Sequence, residues 1–250
     1  MSILDEILRR TRADLLDRRA RVPLDELRAR CRDLPPTLDF RRALRRESGE
    51  VGRRRGAVRV IAEVKKASPS RGVIRPDFEP VAIARAYAEA GAAAISVLTD
   101  APFFQGSLAH LAAVRRAVEV PLLRKDFHLD PYQLWEAREA GADAVLLIAA
   151  ALGPSEIRDL VALSQEIGLA ALVEVRTRPE LDTALDCGAD LVGVNNRNLQ
   201  TFEVSLETTF ALLPLVPDPT VLVSESGIAE PAQVARLAAA GVDAILVGEG

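Results

Sequence analysis

The sequence predicts an α/β fold, a (β/α)8 barrel carrying an N-terminal helical extension, and three observations support the prediction. Eight short apolar runs alternate with helix-like segments from Val58 onward. A repeat returns four times, as EAGAAAISVL, EAGADAVLLI, DCGADLVGVN and AAGVDAILVG, with Gly at 91, 141, 188 and 241. The array places eight βα modules in about 190 residues, the module count of a closed (β/α)8 barrel. An open doubly wound sheet is the alternative, and the regular repeat disfavours it.

Taken in order, residues 2–20 and 23–31 have the pattern of amphipathic helices, and 47–57 is an Arg/Gly-rich connection. Residues 1–57 are therefore expected to form an extension packed on a barrel of residues 58–250, a single domain in all. The eight runs are VRVIAEV (58–64), AISVLT (94–99), PLLRKDF (121–127), AVLLIAA (144–150), AALVEV (170–175), LVGVNN (191–196), TVLVSES (220–226) and AILVG (244–248). Their near-continuous apolar character fits parallel strands buried on both faces. Intervening segments such as PVAIARAYAEAG and PAQVARLAAAG end in a Gly that can take the left-handed conformation closing a helix. Each repeat Gly precedes an even-numbered strand, so the repeating unit is two βα modules. Only Glu249 and Gly250 follow the eighth run, so the sequence shows no eighth helix. Either the chain is shortened or the N-terminal helices cover that groove, and uncovered outer faces of strands 8 and 1 would favour association.

Composition narrows the function classes. With 250 residues, 49% hydrophobic and 27% charged, the chain can bury a large core. No apolar run reaches about 18 residues, and the start, MSILDEILRR, is too charged for a signal peptide, so a cytoplasmic protein without a membrane partner is expected. Cys31 and Cys187 lie far apart without metal-binding companions and are expected to be reduced and inert. Residues 1–59 carry 17 Arg against 10 acidic residues, and the rest 15 basic against 26 acidic. The arginines alternate with acids along helical periods, with Phe40 the sole aromatic among them, which fits solvated helix faces better than a nucleic-acid surface. His110 and His128 have no triad or metal partner at a recognisable spacing and are expected at the surface. No nucleotide-binding glycine motif opens a helix. Acid–base chemistry without cofactor or metal is what remains.

The lysines point to where that chemistry sits. Of 32 basic residues 29 are Arg, and the three Lys are at 65, 66 and 125. Lysine offers a compact ammonium whose pKa can fall on burial, while a carboxylate's rises, so such groups suit proton transfer near neutral pH. A barrel site lies at the carboxyl ends of the strands. The polar residues there are Glu63, Lys65 and Lys66; Lys125 and Asp126; Glu174; Asn195, Asn196 and Arg197; and Ser224, Glu225 and Ser226. Alternation puts Glu63 and Lys65 on one face with Lys66 on the other, and pairs Ser224 with Ser226. One structural ion pair could account for Glu63 and Lys65, but not readily for Lys125 and Glu174 as well. Glycine turns in SESGI and VGEG could cradle a phosphate, and the long loop SPSRGVIRPDF suits a lid.

In order along the chain, IAEVKKASPSRGVI (61–74), SVLTDAPFFQGS (96–107), LLRKDF (122–127), GADAVLLIAA (141–150), LVEV (172–175), VGVNNRNLQTFEV (192–204) and SESGI (224–228) resemble the indole-3-glycerol-phosphate synthase family over nearly the whole chain. Arg71 stands where the family often has Lys. The resemblance implies ring closure of 1-(2-carboxyphenylamino)-1-deoxyribulose 5-phosphate with loss of carbon dioxide and water, and no cofactor. It implies Lys125 as general acid, Lys65 as the partner holding the substrate carboxylate, Glu174 as base, and Glu63 and Asn195 as orienting groups. Ser68 and Arg197 would be polar contacts, Phe104 and Phe127 would pack the anthranilate ring, and Ser226, Gly227 and Gly248 would receive the phosphate. A monomer or weak homo-oligomer is expected, with association with other tryptophan-pathway enzymes left open. Two rivals stand beside it: phosphoribosylanthranilate isomerase, which would need a Cys/Asp pair at strand ends that this chain lacks, and an inactive barrel serving as a binding partner.

Overall fold

A computed structural model describes residues 2–48, 54–69, 71–198 and 201–248. The chain opens with α1 (Ile3–Arg21), α2 (Leu24–Cys31) and α3 (Phe40–Leu44). Ser2 and Asp5 form a reciprocal capping box that starts α1. The third helix leaves no periodic sign in the sequence, since five residues are too few to show one. Glu47–Ser48 pair antiparallel with Arg54–Arg55, while 49–53 of the expected connection fall outside the described residues. Ser70, Leu199, Gln200, Glu249 and Gly250, all named in the motifs above, fall outside them too.

Eight parallel strands then close a barrel in chain order: β1 (Arg59–Val64), β2 (Ala94–Leu98), β3 (Leu122–Lys125), β4 (Ala144–Ile148), β5 (Ala170–Val175), β6 (Leu191–Asn195), β7 (Val221–Glu225) and β8 (Ala244–Val247). Closure is through β8 on β1, with Ala244 beside Arg59 and Val247 beside Ala62. Helices α4 (Pro80–Glu89), α5 (Ala101–Phe104), α6 (Leu108–Arg115), α7 (Pro131–Glu139), α8 (Pro154–Glu166), α9 (Arg178–Asp186), α10 (Glu207–Leu212) and α11 (Pro231–Ala240) lie between strands. Proline begins α4, α7, α8 and α11, where its missing N–H costs no helix hydrogen bond. The repeat glycines 91, 141, 188 and 241 have φ of 86°, 86°, 86° and 107°, the left-handed turn that ends a helix and feeds the next strand.

The barrel interior is filled by Ile61, Leu123, Leu172, Leu191, Val221 and Leu246, and Phe40 and Leu44 of α3 plug its N-terminal end. The repeat also holds that plug. Asp143 accepts the Leu38 N–H at 2.7 Å and the Leu122 N–H at 2.8 Å, and Asp243 accepts the Arg46 N–H at 3.2 Å and the Leu222 N–H at 3.1 Å. Asp190, the same position in the third repeat, pairs with Arg41 at 3.1 Å. Helices α1 and α2 pack along α7: Arg18 meets Glu136 at 2.7 Å, and the Tyr132 hydroxyl donates to the carbonyls of Arg18 and Val22. Of the two alternatives offered for the groove between β8 and β1, cover by these helices is thus not what is found. That groove, about 260 Å³, is lined by Val60, Ala62, Tyr87 and Val247, and by no described residue of α1 or α2. No described helix is long and apolar enough to cross a membrane.

Candidate active site

At the carboxyl ends of the strands the barrel opens into a cavity of about 400 Å³. Every residue expected to bind or act lines it: Glu63, Lys65, Ser68, Phe104, Lys125, Phe127, Glu174, Asn195, Arg197, Ser226, Gly227 and Gly248. Alternation explains the inward set. Along β1, Ile61 fills the barrel interior, so Glu63 and then Lys65 face the same way. Along β3, Leu123 is followed inward by Lys125, and along β5, Leu172 by Glu174.

Two ammonium groups meet three carboxylates. Lys65 Nζ lies 3.0 Å from Glu63 Oε1, and Lys125 Nζ lies 3.8 Å from Glu174 Oε2 and 3.5 Å from Glu225 Oε2. Burial would lower the Lys125 pKa, as the sequence suggested, but the charges of Glu225, Glu174 and Glu63 outweigh it and hold the ammonium protonated with a raised pKa. Glu225 carries the compensating shift. Burial, with Glu174 and Glu63 nearby, pushes its carboxyl up to about 8 against the pull of Lys125. The downward shift expected of a buried lysine is thus corrected, while the upward shift expected of a buried carboxyl is that of Glu225. In the same cavity lining the rings of Phe104 and Phe127 stand 6.3 Å apart and tilted by 39°.

Glu225 is the functional candidate that the sequence reading did not promote. Counting alternation from the inward Val221 and Val223 leads to Glu225, whereas Ser224 faces outward and joins Asn196 and Thr209 in a buried hydroxyl–amide cluster. Ser226 still reaches the cavity because its φ of 69° breaks the alternation, so the expected pairing of Ser224 with Ser226 is corrected. Ile3, Leu4 and Ile7 of α1 also line the cavity, a contribution that no local pattern announces.

The long loop after β1 folds back on itself, with Ala67–Ser68 paired to Gly72–Val73 and the Ile74 N–H on the Lys66 carbonyl at 2.8 Å. Lys66 does not line the cavity. His128, expected at the surface, is buried, with Nδ1 2.7 Å from the Leu146 carbonyl, and burial and Arg124 push its pKa down to about 3. His110 is half-buried, its ring 5.4 Å from that of Phe78. Cys31 and Cys187 are buried and free.

Comparison with known proteins gives the family of the chain. The family model for indole-3-glycerol phosphate synthase matches residues 4–250. The indole-3-glycerol phosphate synthase of Acidithiobacillus ferrooxidans is 50% identical over 247 residues, covering 99% of this chain and 92% of that protein. That of Dehalococcoides mccartyi is 49% identical over 251 residues, covering 99% and 93%. Among solved structures, the N-acetylmannosamine-6-phosphate 2-epimerase of Clostridium perfringens matches with a TM-score of 0.59 at 17% identity, over 76% of this chain and 86% of that one, a likeness of fold alone. The chain belongs to the indole-3-glycerol phosphate synthase family, carboxy-lyases of tryptophan biosynthesis built on a TIM barrel.

Proposed function

We propose that this cavity closes the indole ring of 1-(2-carboxyphenylamino)-1-deoxyribulose 5-phosphate by Lys/Glu general acid–base catalysis. The observation that carries the reading is the position of Lys125, whose charged ammonium stands between Glu174 and Glu225 at the floor of a cavity walled by two phenyl rings. The ring carbon bearing the carboxylate attacks the ketone carbon, and Lys125 gives its proton to the oxygen that becomes negative. Breaking the bond to the carboxylate then releases carbon dioxide and returns its electron pair to the ring. The new hydroxyl then leaves as water with a proton from Lys65, while Glu174 takes a proton from the neighbouring carbon that bears the nitrogen, so that the C–H electron pair becomes the double bond of the new ring. Cationic groups held at a developing oxyanion in a site shielded from water lower such barriers without moving during the reaction.

Around this centre Lys65 holds the substrate carboxylate and assists later proton transfer, kept in place by Glu63, while Glu63 and Asn195 orient the amine and hydroxyl groups. Phe104 and Phe127 pack the anthranilate ring, and Ser68 and Arg197 add polar contacts. Ser226, Gly227 and Gly248, at the ends of β7 and β8 where barrels commonly bind phosphate, receive the phosphate. In this reading residues 1–57 are an extension of one catalytic domain, supported by the place of Ile3, Leu4 and Ile7 in the cavity wall. The enzyme works in the cytoplasm as a monomer or weak homo-oligomer on a small phosphorylated substrate. Mixing the purified chain with that substrate should produce indole fluorescence, and the absence of product from folded protein overturns the reading.

A further inference from the structure

Behind the third barrel strand lies a charge that this chemistry does not use. Alternation turns Lys125 into the barrel and Arg124 out of it, and Arg124 is wholly buried between β3 and α7. Its Nη2 donates to Asp126 Oδ2 at 2.8 Å, its Nε to Thr99 Oγ1 at 3.1 Å and its Nη1 to the Gln133 carbonyl at 2.7 Å, with Glu136 Oε2 at 3.5 Å. These partners hold the turn that carries Lys125 and Phe127. Thr99 N–H donates to the Lys125 carbonyl at 3.1 Å, and Asp126 Oδ1 accepts the Phe127 N–H at 2.9 Å. Gln133 clamps the turn from the other side, donating to the Phe127 carbonyl at 2.8 Å and accepting the Leu129 N–H at 2.8 Å.

The hold continues outward. Glu136, buried on α7, accepts from Arg18 of α1 at 2.7 Å. Arg18, Glu136, Arg124 and Asp126 form a row of alternating charge running from the N-terminal helix to the cavity, whose wall includes Asp126. A well-packed apolar side chain behind β3 would avoid the desolvation that a buried guanidinium suffers, so stability alone is a weak reason for Arg124. Arg124 also fixes the Asp126 carboxylate together with Thr99, whose hydroxyl donates to the same Oδ2 at 2.6 Å.

We propose that Arg124 is a positioning residue for Lys125 and Phe127, and that Glu136 and Arg18 extend its hold to α1, so that the docked N-terminal helix fixes where the reacting ammonium stands. This rests on Lys125 being the acid of the proposed reaction.

The test uses Arg124→Met and Arg18→Gln in the full chain, assayed well below their melting temperatures. Wild-type turnover is measured first, so a failure of the proposed reaction is seen independently of the variants. The chain has three lysines, so labelling lysine with an NMR-active nitrogen isotope gives three side-chain signals, of which Lys125→Met identifies one, and this readout needs no substrate. Arg124→Met should lower kcat by about 10- to 10²-fold, the order that ångström-scale misplacement costs, with a much smaller change in KM. Arg18→Gln should lower kcat less, add no further loss in the Arg124→Met background, and shift the Lys125 signal. Arg10→Gln, which cuts an exposed α1 pair with Asp14, should leave both readouts at the wild-type value. Variants that melt earlier but keep wild-type kcat, KM and Lys125 signal overturn the proposal. If Arg124→Met does not fold, the partly exposed Arg18→Gln decides alone by the same readouts.

Discussion

Glu225 occupies the space that a side chain at Gly193 would fill: a Cβ built on Gly193 overlaps Glu225 Oε1, with Leu172 Cδ1 at 3.3 Å closing the other side. Gly193 and Val223 are neighbours across β6 and β7, so the glycine opens a slot one layer below the carboxylate. The slot lets Glu225 bend toward Lys125 while Oε1 stays buried with no hydrogen-bond partner among the described residues.

Gly193→Ala should therefore push Glu225 off Lys125. We expect kcat to fall by about 10- to 10²-fold and stability by about 1–3 kcal/mol from overpacking. The Gly193→Ala/Glu225→Asp pair should recover part of the stability, because the shorter carboxylate leaves room for the methyl group. Steady-state turnover and thermal melts of both variants check this, and an alanine variant with wild-type kcat refutes it.

Lys125→Arg keeps the charge facing Glu174 and Glu225 but replaces an ammonium that can yield its proton with a guanidinium that stays protonated. General acid catalysis contributes about 10²- to 10⁴-fold, so kcat should drop by that order. Lys66→Arg, outside the cavity, should remain active. Comparable losses in the two variants would remove Lys125 from its role.

Stability should depend on pH through Glu225. Its folded carboxyl is raised from an ordinary 4.5 to about 8, so between those values the folded state holds a proton that the unfolded chain has lost. This contribution is fully present below the unfolded value and is lost as pH rises toward about 8, after which it is level. Glu225→Gln should thus gain melting temperature relative to wild type as pH climbs through that window. A difference independent of pH between about 5 and 8 would count against the raised value.

The repeat aspartates give a graded stability test. Asp243→Ala strips the buried N–H groups of Leu222 and Arg46 of their partner, at about 1–3 kcal/mol each. Asp190→Ala breaks only a half-exposed pair with Arg41, worth about 0–1 kcal/mol. Melting curves should separate the two by several degrees.

Periodicity and chemistry decided much of this protein within the sequence. Runs such as AVLLIAA are apolar at every position because parallel strands are covered on both faces, and the recurring glycines are needed wherever a helix turns back into a strand. Strand-end positions and alternation bring Glu63, Lys65, Lys125 and Glu174 together from sequence alone, because a barrel's inward positions converge on one mouth. Tertiary structure alone decided what depends on distance. Alternation failed at Ser226 because a left-handed φ cannot be read from a serine, and with it went the recognition of Glu225. The direction of the Lys125 shift depended on how many carboxylates surround the ammonium, since burial and charge act in opposite senses and only geometry weighs them. The N-terminal helix reached the cavity, and Arg124 its partners on α7 and just past the ends of β2 and β3, through contacts more than a hundred residues apart in sequence or on the far side of a strand, where no local pattern records them.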